Sequence, residues 1–146
     1  MIEPLQVEIT RIDESLPLPM PATAGAAGFD LYCRSTIVVA PGSIELVPSN
    51  VIVRVPDGHV LVVALRSSTP RRKSLIMPNG IGVIDPDYCG PDDEIQIQVL
   101  NFGDKQVTLE RGERVAQGLL VPLAPWSWVE VFATERSNRG GFGSTG

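Results

Sequence analysis

The sequence predicts an all-β fold, a sandwich or a jelly-roll-like distorted β-barrel with at most one short helix. Three observations carry this. Short runs that are β-branched or alternate apolar with polar residues recur along the 146 residues. Turns rich in Gly and Pro separate them, and the 14 Gly and 13 Pro stay short of low-complexity composition. Only one stretch carries a helix-start signal. The length suits one domain, residues 1–146, with a core of its own, and 43% hydrophobic and 20% charged residues are ordinary globular values.

In chain order, Leu5-Gln6-Val7-Glu8-Ile9-Thr10-Arg11 alternates, as a strand with one buried face does. Pro17 to Pro21 reads as an extended surface loop. Thr36 to Val39 is β-branched, and Pro41-Gly42 turns the chain. Ile44 to Val47 and Val51 to Val55 are two more strands, the second closed by Pro56-Asp57-Gly58. Val60 to Leu65 is continuously apolar and predicts a strand buried on both faces. Ser67-Ser68-Thr69-Pro70 offers a capping hydroxyl and a Pro for the first turn, so the one helix starts here. Glu94 to Asn101 opens with clean alternation. Gly103-Asp104 turns into Gln106 to Leu109, Arg111-Gly112-Glu113 turns into Val115 to Val121, and Trp128 to Phe132 is the last strand. The Gly-rich end, residues 140–146, cannot form a stable element by itself.

A net charge of −5 argues against a general nucleic-acid binder, which needs a basic surface to replace counterions. No apolar run approaches the roughly 20 residues of a membrane span. The start MIEPLQVEIT has an early acid and no basic segment, unlike a signal peptide, so a cytoplasmic chain is expected. One histidine, His59, and two cysteines, Cys33 and Cys89, cannot build a four-ligand zinc site of the Cys/His type. A hydrolytic triad would have to use His59, which follows a turn and reads as a surface residue. Chemistry must therefore run mainly on carboxylates, arginines and hydroxyls, with a hard metal as an option.

Four segments are candidates. Arg66-Ser67-Ser68-Thr69-Pro70-Arg71-Arg72-Lys73 gathers four of the twelve basic residues around a helix start, which suits phosphate or, more plainly, a capped helix with a solvated charge run. Asn79-Gly80-Ile81-Gly82-Val83-Ile84-Asp85-Pro86-Asp87-Tyr88-Cys89-Gly90 ends an apolar run in an acid, a turn and an aromatic. A partly buried Asp85 there could deprotonate a water, or Asp85 and Asp87 could simply bond their own turn. Asp92-Asp93-Glu94 beyond it reads as a solvated acidic turn. The glycines at the C-terminus let backbone N–H groups approach phosphate, Ser144 and Thr145 add hydroxyls, and Phe142 could stack on a base. Asp30, in Ala26-Ala27-Gly28-Phe29-Asp30-Leu31, reads as a turn acid or an outer-shell metal partner.

Taken together the chain resembles the dUTPase family, in its all-β homotrimeric type. Five segments match in the family's order: Ala27 to Leu31, Arg66 to Ser68, Gly82 to Gly90, Glu113-Arg114-Val115-Ala116-Gln117, and Gly140 to Gly146. The resemblance implies hydrolysis of dUTP to dUMP and pyrophosphate with Mg2+, by in-line attack of a water on the α-phosphorus. It implies that Asp85 deprotonates that water and that Tyr88 packs on the deoxyribose. Asn79 and the backbone of Gly82, Val83, Ile84 and Asp85 would bond uracil. Arg66, Ser67, Ser68 and Gln117 would hold phosphates, and Asp30 would position the water shell of the metal. Residues 133–146 would be a flexible lid reaching another copy's site, with Phe142 on uracil and Gly143, Ser144 and Thr145 on phosphates. The family's lid arginine stands where Ser137 stands here, so Arg136 is favoured for the γ-phosphate and Arg139 is the alternative. Thr69 to Lys73 also departs from the family's small apolar residues, and Pro91-Asp92-Asp93 lengthens a turn.

The main rival is a dCTP deaminase, or a bifunctional dCTP deaminase/dUTPase, of the same fold. Asp85-Pro86 resembles that branch. Deamination requires a glutamate where Gln98 stands, and glutamine cannot shuttle the protons. A catalytically silent nucleotide- or protein-binding sandwich is the third reading.

Overall fold

The computed structural model describes residues 3–143. Eleven strands and one short helix follow in order among the described residues. They are β1 (Glu8–Arg11), β2 (Phe29–Tyr32), β3 (Ile37–Val39), β4 (Ile44–Pro48), β5 (Val51–Arg54) and β6 (His59–Leu65). After α1 (Thr69–Lys73) come β7 (Leu75–Ile76), β8 (Gly82–Ile84), β9 (Gln96–Asn101), β10 (Val107–Leu109) and β11 (Arg114–Pro122). The all-β, jelly-roll-like reading with one short helix holds.

Every pairing is antiparallel, so short turns suffice as connections. The largest sheet runs β2-β11-β6-β8, a second runs β4-β9-β7, and β1-β5 and β3-β10 are two-stranded. Their inner faces share one apolar cluster that includes Leu31, Val39, Val47, Leu61, Leu75, Ile97 and Leu109. Each such side chain contributes about 1.5–3 kcal/mol by leaving water. Buried Asn101 ties two turns to this cluster. Its Nδ2 donates to Val39 O (2.9 Å) and Lys105 O (2.7 Å), and its Oδ1 accepts from Gly103 N (2.9 Å).

Where β2 pairs with β11 the two strands leave little room for a side chain at two glycines. A Cβ on Gly28 would lie 2.5 Å from Gly118 O, and one on Gly118 would lie 2.6 Å from Phe29 Cζ. At Gly28 the obstacle is backbone, so only glycine fits there, while at Gly118 the Phe29 ring would have to move.

Several expectations need correction. Residues Trp128 to Phe132 form no strand and are exposed, and the Trp126 and Trp128 rings meet edge to face at 4.9 Å. A strand exists only when paired, and β11 ends its ladder at Pro122. The first strand begins at Glu8, not Leu5, because β5 offers partners only from Arg54 back to Val51. In β6, Leu61 and Val63 are buried while Val60, Val62 and Ala64 are half-exposed, so one face is left uncovered within a single chain. Ser68 does precede α1, but its backbone is itself helical (φ −84°, ψ −18°) and its side chain makes no cap bond. Glu94 is buried rather than solvated. It takes both Arg34 Nε (2.8 Å) and Arg34 Nη2 (2.9 Å), and Asn50 N at 2.8 Å. That pairing raises the Arg34 guanidinium further above its ordinary value. Cys33 and Cys89 are both free thiols, and burial pushes Cys33 up to about 11.

Candidate active site

The Asp30 end of the large sheet is assembled by register. Asp30 stands opposite Gln117, and Gln117 stands opposite Ala64. Directly opposed residues share a face, so these three form one row. Two residues past Ala64, Arg66 returns to that face and its Nε meets Asp30 Oδ1 at 3.2 Å. On the other side a bulge between Arg114 and Ala116 sets Arg114 opposite Tyr32. Without that extra residue Arg114 would point to the core face. With it, Arg114 Nη1 reaches Asp30 Oδ2 at 3.4 Å. Asp30 is therefore a nearly buried strand residue holding two arginines, not a turn acid.

The arginines keep donors to spare, because each guanidinium has five and each spends one on this carboxylate. Gln117 is fixed by its bond to Leu65 O (3.3 Å). Ser67 is exposed and Ser68 half-exposed at the start of α1, while buried Thr69 anchors the helix to Val115 O (3.3 Å). Two guanidinium groups, an amide and the Ser68 hydroxyl gather at this end of the sheet, with exposed Ser67 next to them, a donor set that could receive an anion of several charges.

At the other end of the sheet, β8 pairs with β6 along one edge only. Its outer edge leaves backbone N–H and C=O groups free, as any edge strand does. Gly80, at φ +78°, turns the chain just before it, with Asn79 exposed on that turn. Asp85 follows β8 and is exposed rather than partly buried, since its chain leaves the sheet at Ile84. Its carboxylate enters no ion pair among the described residues. The local-turn alternative is seen only in the backbone, where Tyr88 N donates to Asp85 O (3.2 Å). The Tyr88 hydroxyl donates to Glu94 O (3.1 Å), so this ring is held at both ends while one side stays open. Arg34 and Asn50 hold Glu94 in turn, which makes the buried Glu94 the anchor of the whole turn.

One chain does not bring these two ends together. Ile84 stands opposite Leu61, five residues from Arg66 along β6. At about 3.3 Å per residue that is roughly 17 Å, with Asp85 further still. Gln98 projects from the half-exposed face of β9, between buried Ile97 and Val99. Among the described residues the His59 imidazole bonds the Asp57 carbonyl of its own turn (3.0 Å). Arg136, Arg139, Phe142 and Gly143 are exposed beyond the last strand; Ser144 and Thr145 lie outside the described residues.

Sequence reasoning missed the roles of Arg114 and of the Arg34–Glu94 pair. The first depends on a bulge, and the second joins residues 60 positions apart. Neither leaves a local pattern.

Residues 14–146 match the dUTPase family profile. Among curated proteins, the deoxyuridine 5'-triphosphate nucleotidohydrolase of Lactococcus lactis is 41% identical over 132 residues, covering 88% of this chain and 87% of that protein. The protein of the same description from Photorhabdus laumondii is 37% identical over 153 residues, covering 100% of this chain and 99% of its own. Among solved structures, the dUTPase of Streptococcus mutans superposes with a TM-score of 0.76 at 40% identity, over 84% of this chain and 98% of that one. The Staphylococcus bacteriophage 80alpha dUTPase with dUpNHpp reaches 0.84 at 22% identity, over 97% and 98%, a likeness of fold. With the profile spanning nearly the whole chain and these identities along it, the chain belongs to the dUTPase family.

Proposed function

We propose that this enzyme hydrolyses dUTP to dUMP and pyrophosphate, as a homotrimer in which each site is shared between copies. The observation that carries this reading is the separation of two half-sites on one sheet. An anion receptor stands at the Asp30–Arg66 end. A free strand edge with an unpaired carboxylate stands at the β8 end, too far away to serve the same triphosphate.

Uracil pairs with the open edge of β8, through the backbone of Gly82 to Asp85 and the Asn79 side chain. Such an edge offers a fixed donor and acceptor pattern, which selects uracil over cytosine. The Tyr88 ring packs on the deoxyribose and leaves no room for a 2'-hydroxyl. Arg66, Ser67, Ser68 and Gln117 from another copy hold the phosphates. Asp85 orients a water in line with the α-phosphorus and accepts its proton. The water oxygen bonds to that phosphorus as its bond to the bridging oxygen breaks, and pyrophosphate leaves. A carboxylate with no fixed donor of its own is free to do this.

The donor set fits a metal held mainly by substrate. No three His, Cys, Asp or Glu residues converge as a metal cage among the described residues, and the Asp30 oxygens retain lone pairs beyond the two arginines. Charge neutralisation on the triphosphate would come from Mg2+ carried by the phosphates, with Asp30 accepting from one of its waters. Residues 133–146 act as the lid: Arg136 on the γ-phosphate, Phe142 on the uracil ring, and Gly143, Ser144 and Thr145 on the phosphates. Full exposure of Phe142 supports this, because an aromatic with nothing to cover gains nothing in a lone chain.

The strand-patterned segment Trp126 to Phe132, unpaired and exposed, supports assembly, since a second copy can supply the missing ladder. That the copies number three rests on the family. Among the described residues no helix is long and apolar enough to cross a membrane, and the net charge of −5 opposes nucleic acid, which fits a cytoplasmic enzyme.

The test is to incubate the protein with Mg2+ and either dUTP or dCTP and resolve the products by ion exchange. Conversion of dUTP alone to dUMP and pyrophosphate is expected. Deaminated product from dCTP would show that Gln98 does not exclude the deaminase reaction, and no turnover would return the silent sandwich.

A further inference from the structure

We propose that Arg72 is a ligand of the terminal phosphates of the substrate, and of pyrophosphate as it departs, on the fixed wall of the phosphate cleft. This rests on the reading of Arg66 and Ser68 as phosphate ligands and adds a residue to which neither the fold nor the motifs give a role.

A cleft of about 110 Å3 opens beside the start of α1, lined by Arg66, Ser68, Arg72, Lys73 and Arg114, with Glu113 among its walls. Most of its cations are already engaged. Arg66 and Arg114 share Asp30, and Lys73 pairs with Glu113 at 3.3 Å. Arg72 is exposed and, alone among the four, enters no ion pair among the described residues.

Its direction follows from the helix. Arg72 N donates to Ser68 O at 3.0 Å, so Arg72 stands one turn beyond Ser68 and shares its face. Arg71 lies about 100° around the helix and lines neither this cleft nor the next. The next groove, about 310 Å3, continues past Arg72 to Ser74 and Lys105. Arg72 therefore lies where the phosphate cleft meets this second groove, which Asp104 and Lys105 also line.

Four cations in and around two carboxylates leave the cleft positive before any lid residue arrives. An unpaired guanidinium at that point is matched to the fork of phosphate oxygens. The α-phosphate must face the water held by Asp85, so the β- and γ-phosphates are the groups that extend along the cleft toward Arg72. A monophosphate is too short to reach it.

The experiment measures binding of the non-hydrolysable dUpNHpp and of dUMP by calorimetry, in the full-length Arg72→Ala, Arg71→Ala and Arg66→Ala proteins. Arg72→Ala should weaken dUpNHpp at least about tenfold, the loss of one charge-assisted hydrogen bond. It should leave dUMP binding and thermal stability unchanged, and Arg72→Lys should recover part of the loss. Arg71→Ala, with the same change in charge, should bind both ligands normally. Equal behaviour of the two alanine variants, or equal weakening of dUMP, would overturn the proposal. If Arg66→Ala also binds dUpNHpp normally, the phosphate reading of the cleft fails instead.

Discussion

Asp30 and Asp85 sit toward opposite ends of one four-stranded sheet, and their surroundings are opposites. Asp30 is nearly buried and braced by Arg66 and by Arg114, which a bulge turns toward it. Asp85 is exposed, unpaired and placed just past the end of an edge strand. The difference separates two uses of the same functional group. A satisfied carboxylate organises its neighbours, and an unsatisfied one is available to water and substrate. Glu94 belongs with Asp30, since Arg34 and Asn50 complete its bonding while its carbonyl holds Tyr88 beside the free acid.

The contrast is broken most sharply by Asp85→Asn. Turnover should fall about 10²–10⁴-fold with dUpNHpp binding and the melting temperature unchanged. A parallel loss of stability would show that Asp85 is a structural acid after all. Next in size, deletion of Gly140 to Gly146 should lower turnover at least about tenfold through the lost stacking of Phe142. The mass by light scattering should stay constant, and full activity would remove the lid.

On the organising side, Glu94→Gln should cost about 2–3 kcal/mol by denaturant melts. That is below the value of a fully buried pair because Arg34 is about a third exposed. Activity per folded molecule should persist, because Tyr88 bonds the Glu94 backbone rather than its carboxylate. The smallest effect is expected in acid. The Arg111 guanidinium and Ser15 beside Asp13 hold its carboxyl well below the usual carboxylate range. A depressed value stabilises the fold above the ordinary carboxylate range and is lost as pH falls through it. Asp13→Asn should therefore flatten the acid limb by slightly lowering stability at neutral pH while leaving strongly acidic pH unchanged, which thermal melts at several pH values would read.

Much of the fold is legible because its strands find partners within the chain. The alternation in Gln96 to Leu100 faces a core the same chain supplies, and so does Val51 to Val53. Trp128 to Phe132 carries a similar pattern and forms no strand, since periodicity announces a strand without saying whose sheet receives it. The uncovered face of β6 misleads for the same reason. At the candidate site, the hydroxyls, Asp85 and Tyr88 stand in motifs that a sequence reading can collect. The bracing of Asp30 by Arg114 is not visible there, because one bulged residue decides which face Arg114 takes. The burial of Glu94 is equally hidden, for an acid after Asp92-Asp93 looks solvated until Arg34 arrives from a distant strand.

In the proposed reaction a free water, deprotonated by Asp85, attacks the α-phosphorus. A single turnover of dUTP in 18O-labelled water, read by mass spectrometry of both products, tests it most directly. One labelled oxygen in dUMP and none in pyrophosphate is the expected result. Label in pyrophosphate, or unlabelled dUMP from that first turnover, would contradict it, by moving the attack to another phosphorus or making the carboxylate itself the nucleophile.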